Sequence, residues 1–285
     1  MHIPVLKNEV IEYLDPKENE NFIDGTFHMG GHSELILEKT GPKGKILGIE
    51  IDEEIYKEAE KKFKDNERVI IVNDSYANLE SIVEKYNFKD IDGILLDVGM
   101  SSWHIDESKR GFTFQKNEPL NMLFKKEGKT AEEIVNTYSK EDLEKILREY
   151  GEEKKARKIA EAILKARKEK PIRTTFELID VIKKAVLAKG ISPLQKTFQA
   201  IRIEANKELE NLKGVLPDAL RMLKIGGRLG VISFHSGEDR IVKEFIKEHK
   251  QEVEILNKKP ITSTREESMQ NPRSRSAKLR VIIKK

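Results

Sequence analysis

Three carboxylates and a pair of glycines fall in an order that suits a nucleoside ligand. Asp24 precedes Gly25-Thr26-Phe27-His28-Met29-Gly30-Gly31-His32-Ser33, in which Gly30 and Gly31 let the backbone approach a ligand where a Cβ would collide. Glu50 lies near the end of the next apolar run, Gly48-Ile49-Glu50-Ile51-Asp52. A carboxylate there accepts hydrogen bonds from both hydroxyls of a ribose, leaving Asp52 to cap a following helix. Asn73-Asp74-Ser75-Tyr76 then offers a polar group and the face of Tyr76 to an adenine. In this order the segments describe an adenosyl pocket. Asp97 ends a fourth run, Ile94-Leu95-Leu96-Asp97, where it can accept a hydrogen bond from an exocyclic amine. The lone pair of such an amine is delocalised into its ring, so methylating it requires rehybridisation and an acceptor for its proton.

Other chemistries are excluded or disfavoured. The chain has no Cys, which removes disulfides, thiolate metal sites and Cys nucleophiles. Methylation at pyrimidine carbon 5 normally uses a Cys nucleophile, so a base nitrogen or a ribose oxygen remains as the methyl acceptor. His28 and His32 stand at i and i+4, yet no third ligand is near and the glycines between them argue for a loop, so no metal is expected. An NAD-type oxidoreductase would show the pyrophosphate turn G-x-G-x-x-G after its first strand, and the loop here lacks it.

These residues require a framework of strands and helices. Apolar runs at Asn21–Phe27, Lys45–Ile51, Arg68–Val72 and Asp92–Val98 alternate with helical stretches at Ser33–Glu38, Glu53–Lys64 and Leu79–Tyr86. Ile55, Ala59 and Phe63 make one buried stripe of the second helix. Such alternation predicts right-handed βαβ units and a mostly parallel sheet covered on both faces. From Asp106 to Asn206 the spacing gives helices and loops with no convincing strand, and Ala156, Ile159, Ala160, Ile163 and Leu164 mark a strongly amphipathic helix. A helix at Leu209–Leu223, a Gly226-Gly227 turn and a strand at Arg228–Phe234 resume the alternation. Ser236-x-x-Asp239 matches a capping box for the helix that follows, with Ile241, Val242, Phe245 and Ile246 on its buried face. Two late strands are expected near Glu252–Leu256 and Lys278–Ile283. The economical architecture is an α/β domain of residues 1–105 and 207–285, interrupted by a helical domain at 106–206.

Hydrophobic and charged residues make up 38% and 36% of the chain, and no apolar run approaches the about 18 residues a membrane helix needs. The N-terminal MHIPVLKNEVIEYLD has no basic-then-apolar signal pattern, so a cytoplasmic location without membrane contact is expected. Net charge is +3, but it is unevenly placed. From Asn257 to the end, nine Lys or Arg oppose Glu266 and Glu267, giving +7 there and −4 over the rest. A basic end on a nearly neutral body suits a phosphate-bearing partner.

Seven ordered blocks carry a resemblance that spans nearly the whole chain: DGTFHMGGHS, DGILLDVGMSS, RGFTF, YGEE, KTFQAIRIEAN-EL, GGRLGVISFHSGEDRIVK and NPRSRSAKLR. With them the chain resembles the bacterial MraW family, the cytosine-N4 methyltransferases of small-subunit (16S) ribosomal RNA. The resemblance implies a class I methyltransferase, with a Rossmann-like sheet and a helical insertion, that uses S-adenosyl-L-methionine. Carried over by position, its cofactor contacts fall on Gly30, Gly31, His32, Glu50, Tyr76, Asp97 and His104. All but His104 also stand out in the segments described above. The family usually has Asp at Glu50, Ser-Ser-Pro-Gln at Ser101-Ser102-Trp103-His104, and Gly-Pro-Leu-Asp-Met-Arg at Glu118-Pro119-Leu120-Asn121-Met122-Leu123. The last loop has lost its acid and arginine and is assigned no catalytic role. Asp97 is the expected proton acceptor. Lys196, Gln199 and Arg202 in the insertion, with Arg273, Arg275 and Arg280 near the end, are expected RNA contacts, since basic side chains position a nucleic acid more than they read it. Phe234 is read first as a core aromatic, with stacking on a flipped base as the alternative use of its ring. The expected partner is small-subunit ribosomal RNA or the assembled subunit, with a homodimer as the expected assembly. The competing reading is a non-catalytic RNA-binding or ribosome-assembly factor of the same fold.

Overall fold

The computed structural model describes residues 4–186 and 191–285. In chain order its first elements are α1 (Lys7–Leu14), β1 (Asn21–Asp24), α2 (Gly31–Thr40), β2 (Ile46–Glu50), α3 (Glu53–Phe63), β3 (Val69–Asn73), α4 (Leu79–Lys85) and β4 (Ile91–Asp97). Then come α5 (Ser102–Asp106), α6 (Ala131–Thr137), α7 (Lys140–Glu149), α8 (Ala156–Glu169), α9 (Thr175–Val186) and α10 (Ser192–Asn206). The last group is α11 (Glu208–Met222), β5 (Leu223–Ser233), α12 (Ser236–Glu248), β6 (Val253–Ile255), β7 (Ile261–Thr262), α13 (Arg265–Gln270) and β8 (Lys278–Lys284). The chain divides into two compact units, one of residues 1–99 with 209–285 and one of residues 100–208.

In the first unit the strands order as β3-β2-β1-β4-β5-β8-β6, with β7 also on β8. β1 to β5 run parallel, while β8 is antiparallel to β5, β6 and β7. Alternate strand residues enter opposite cores, as the pleat requires. Ile23, Leu47, Ile49, Ile94, Leu96 and Val231 pack with apolar residues of α4, α11 and α12. Phe22, Ile46, Leu95 and Ile232 pack with those of α1, α2 and α3 on the other face. The strand order reverses between β1 and β4, and in such a sheet ligands settle beyond the carboxyl ends of the strands at that switch. Asp24, Glu50, Asn73 and Asp97 are the last residues of β1, β2, β3 and β4.

Local signals explain most boundaries. The Asp52 carboxylate accepts from the Glu54 N–H and starts α3, whose Ile55, Ala59 and Phe63 are all buried. Two expectations shift. β5 begins at Leu223, ahead of the Gly226-Gly227 turn, because Leu223 already pairs with Ile91 while Arg228 pairs with Gly93. The residues between bulge outward, with Gly226 at φ +81° and Ile225 exposed. The cap of α12 lies one residue earlier than the Ser236 spacing suggests: His235 is the N-cap and Glu238 the reciprocal partner. Asp239 is freed for a different task, a two-point ion pair with Arg280 at 2.7 and 3.3 Å.

The second unit is helical, and among its described residues the only β pairing is an isolated bridge between Pro119 and Thr174. Thr130 with Glu133 closes a capping box on α6, and Ser139 caps α7. α8 buries Ala156, Ile159, Ala160 and Ile163, packing against α7 and α9. The Phe112 and Phe124 rings stack at 5.4 Å.

Candidate active site

The end of β2 sets one wall. Glu50 is buried, and its two oxygens accept from the N–H groups of Asp52 and His28, each at 2.8 Å. Burial pushes its carboxyl up to about 8, against the two hydrogen bonds that favour the charged form. Each oxygen keeps a second lone pair for a ribose hydroxyl. Asn73 at the end of β3 donates from Nδ2 to the Glu50 carbonyl at 2.8 Å, which fixes the step to Tyr76. Tyr76 opens a short 3-10 turn and is half-buried.

The glycine loop is shaped by the protein itself. Gly30 has φ +73°, and a Cβ there would lie 2.5 Å from the Phe63 ring. A Cβ on Gly31 would lie 2.6 Å from Pro4. Close protein packing therefore already requires both glycines, where the sequence suggested the approach of a ligand. His28 takes φ +49° and presents its N–H to Glu50.

Between β1 and β4 the site is polar and enclosed. Asp24 is buried, accepting from the Ser33 hydroxyl at 2.7 Å and the Thr26 N–H at 3.2 Å, and burial holds its carboxyl above the usual range. The Thr26 hydroxyl accepts from the Asp97 N–H at 2.7 Å. Nε2 of His32 lies 3.5 Å from Oδ2 of Asp97. Both ring nitrogens of His32 and Oδ1 of Asp97 are buried without a hydrogen-bond partner among the described residues. Native interiors rarely leave such atoms unmatched, and their concentration here marks a place where a polar ligand completes the bonding. The sequence reading missed Thr26 and Ser33; the signal was a hydroxyl on either side of the glycine loop, Thr26 two residues after Asp24 and Ser33 next to Glu34.

A family match decides what ligand this is. The MraW methylase family matches residues 1–285. The chain belongs to that family. It is accordingly an S-adenosylmethionine-dependent methyltransferase. Relatives include the ribosomal RNA small subunit methyltransferase H of Caldicellulosiruptor saccharolyticus, 46% identical over 99% of both chains. The protein of the same name from Thermosipho melanesiensis is 46% identical over 98% of this chain and 96% of its own. A solved structure of a candidate rRNA methylase from Clostridium thermocellum covers 100% of both chains with a TM-score of 0.51 at 14% identity, which bears on the fold alone. The residues present fit the cofactor: an acid with open lone pairs where a ribose would lie, and unmatched buried polar atoms beyond it.

Several of the expected contacts also make bonds within the fold. His104, in the second unit, is buried, and its Nδ1 faces the Ser101 N–H at 3.1 Å and the Ser101 hydroxyl at 2.9 Å in the cap of α5. Its ring packs 4.8 Å from Phe124 and 5.0 Å from Phe112. His104 thus has a structural task in the cap and the aromatic cluster, beside the cofactor contact expected of it. Lys196 and Gln199 donate to the carbonyls of Glu152 and Tyr150 and tie α10 to that turn. Arg202 makes a two-point pair with Glu208 at 2.9 and 3.0 Å, with side chains only 11% and 7% exposed. Arg280 is buried against Asp239. Arg202 and Arg280 thus serve as struts within the fold, Arg202 on the buried Glu208 and Arg280 on the half-buried Asp239. Arg273 and Arg275 stay exposed, although Arg275 also donates to the Ser268 carbonyl at 3.1 Å. Phe234 is half-buried, 3.5 Å from where a Cβ on Gly99 would stand.

The strut assignment has a measurable consequence. Arg202→Ala should cost about 3–5 kcal/mol in denaturant unfolding, because it removes a two-point partner from the buried Glu208 carboxylate. The salt dependence of RNA binding should keep its slope, where loss of a phosphate contact would lower it by about 1.

Among the described residues no helix is long and apolar enough to cross a membrane, and no group of three or more His, Cys, Asp or Glu could hold a metal ion.

Proposed function

We propose that this protein moves the methyl group of S-adenosylmethionine to the exocyclic N4 of a cytidine in small-subunit ribosomal RNA. The observation that carries the reading is the family match over the full chain, joined to relatives named as small-subunit ribosomal RNA methyltransferases. The site supports it with Asp97, whose buried Oδ1 has no partner among the described residues and stands at the strand end where an amine proton needs an acceptor.

When bound, S-adenosylmethionine supplies an electrophilic methyl group. Glu50 holds the ribose, Tyr76 lies along the adenine, and the loop through Gly30, Gly31 and His32 lines the remaining wall. Asp97 orients the amine and accepts its proton. Positioning of this kind contributes about 7–11 kcal/mol in favourable cases. Arg273 and Arg275 hold phosphates of the RNA, and the reaction takes place in the cytoplasm. A homodimer is the proposed assembly.

Transfer of label from S-adenosylmethionine to small ribosomal subunits lacking the modification, in parallel with free small-subunit RNA, tests the reading. Label in either substrate supports it, and the faster one identifies the physiological form. Cofactor binding with no label in either would favour the non-catalytic alternative.

A further inference from the structure

We propose that His32 is the second member of a proton-accepting pair and relays, through Asp97, the proton given up by the substrate amine. The inference rests on the methyl-transfer reading above. His32 and Asp97 come from different elements, the first turn of α2 and the last residue of β4, yet approach to 3.5 Å with side chains only 8% and 12% exposed. A histidine kept only for packing would be satisfied or replaced by an apolar ring, because an unmatched buried polar group is costly. Here both ring nitrogens are unmatched, and so is the neighbouring Oδ1 of Asp97.

The surroundings leave Asp97 as the group that works with His32. The charged groups facing the imidazole are Asp24 on β1 and Asp97 on β4. Asp24 is held by Ser33 and Thr26. Asp97 is anchored through its N–H to Thr26, which fixes the backbone and leaves the carboxylate open.

The balance is as follows. The N–CH3 bond forms as the S–CH3 bond breaks, with its electron pair left on sulfur. The amine N–H bond breaks and Oδ1 of Asp97 takes the proton. A half-turn of the carboxyl presents that proton to Nε2 of neutral His32, which passes it to solvent after product leaves. His32 acts through Asp97 and is a positioning residue in this reaction.

The test is His32→Gln in the full chain, assayed on small subunits lacking the modification, with cofactor binding followed by calorimetry. The variant should lose far less in S-adenosylmethionine affinity than in kcat, because Gln keeps a donor and an acceptor on the cofactor wall that His32 lines. Its kcat should fall about 100-fold, the low end of what a positioned base contributes. An unchanged kcat overturns the proposal, and so does a loss of cofactor affinity as large as the loss of kcat. If the variant does not fold, His32→Asn takes its place, and an unchanged kcat in that variant likewise overturns the relay. A methylated product other than N4-methylcytidine would instead overturn the cytidine reading, leaving the His32 comparison to be read on that product.

Discussion

Asp97→Asn should lower kcat by about 10²–10⁴-fold at saturating cofactor, the span that a positioned proton acceptor contributes. The substitution is isosteric and keeps the bond from the Asp97 N–H to Thr26, so the β4 end should hold its shape. What disappears is the acceptor. An amide in place of the carboxylate offers an N–H toward the incoming amine or toward His32, and neither arrangement takes up a proton. Thermal melting should stay near wild type, and calorimetric cofactor affinity should change far less than kcat. Near-full activity in this variant would remove Asp97 from the chemistry and take the relay through His32 with it.

The second large effect is expected at Glu50. Glu50→Gln should weaken S-adenosylmethionine binding by about 100-fold, equivalent to about 2.7 kcal/mol, because a carboxylate accepting from two hydroxyls is replaced by a group with one acceptor oxygen. That oxygen must also serve the N–H groups of His28 and Asp52. A pH signature accompanies the loss. The Glu50 carboxyl is raised from 4.5 to about 8 in the folded, ligand-free protein. A raised carboxyl contributes stability that is present below the unfolded value and lost as pH climbs through the folded one. The ligand-free wild type should therefore lose stability between about pH 4.5 and 8, with about 5 kcal/mol as the ceiling for this group. Subtracting the Glu50→Gln curve isolates that loss. Cofactor affinity should move oppositely, because ribose hydroxyls favour the ionised form, and should tighten toward pH 8 before levelling. Parallel pH profiles of stability in wild type and variant would contradict the assignment.

The sheet was legible because its signals are local and redundant. Ile55, Ala59 and Phe63 mark a buried stripe at helical spacing, and Asp52 stands where a cap is needed, so α3 follows from its own residues. The acids at the strand ends were legible for the same reason: an apolar run that stops at a charge places that charge at the rim of the sheet. Pairing across the sequence was not legible. Leu223 joins the sheet because Ile91 is beside it, a fact that no window around the Gly226-Gly227 turn contains. Arg202 and Arg280 looked like phosphate donors because their partners, Glu208 and Asp239, become partners only on folding. His104 stood out only through a motif, and its cap with Ser101 and packing on Phe124 show only on folding. Residue type and spacing thus revealed where charge collects, and the fold decided which charges are already matched.

That distinction bears most on Asp97 and His32, the buried polar pair left open beside the acids of the site. The most direct test is to let the wild-type chain methylate small ribosomal subunits lacking the modification, digest the RNA and identify the modified nucleoside. N4-methylcytidine as the single labelled product is the predicted result. Label on a ribose oxygen, on another base position, or in no nucleoside at all would contradict the account.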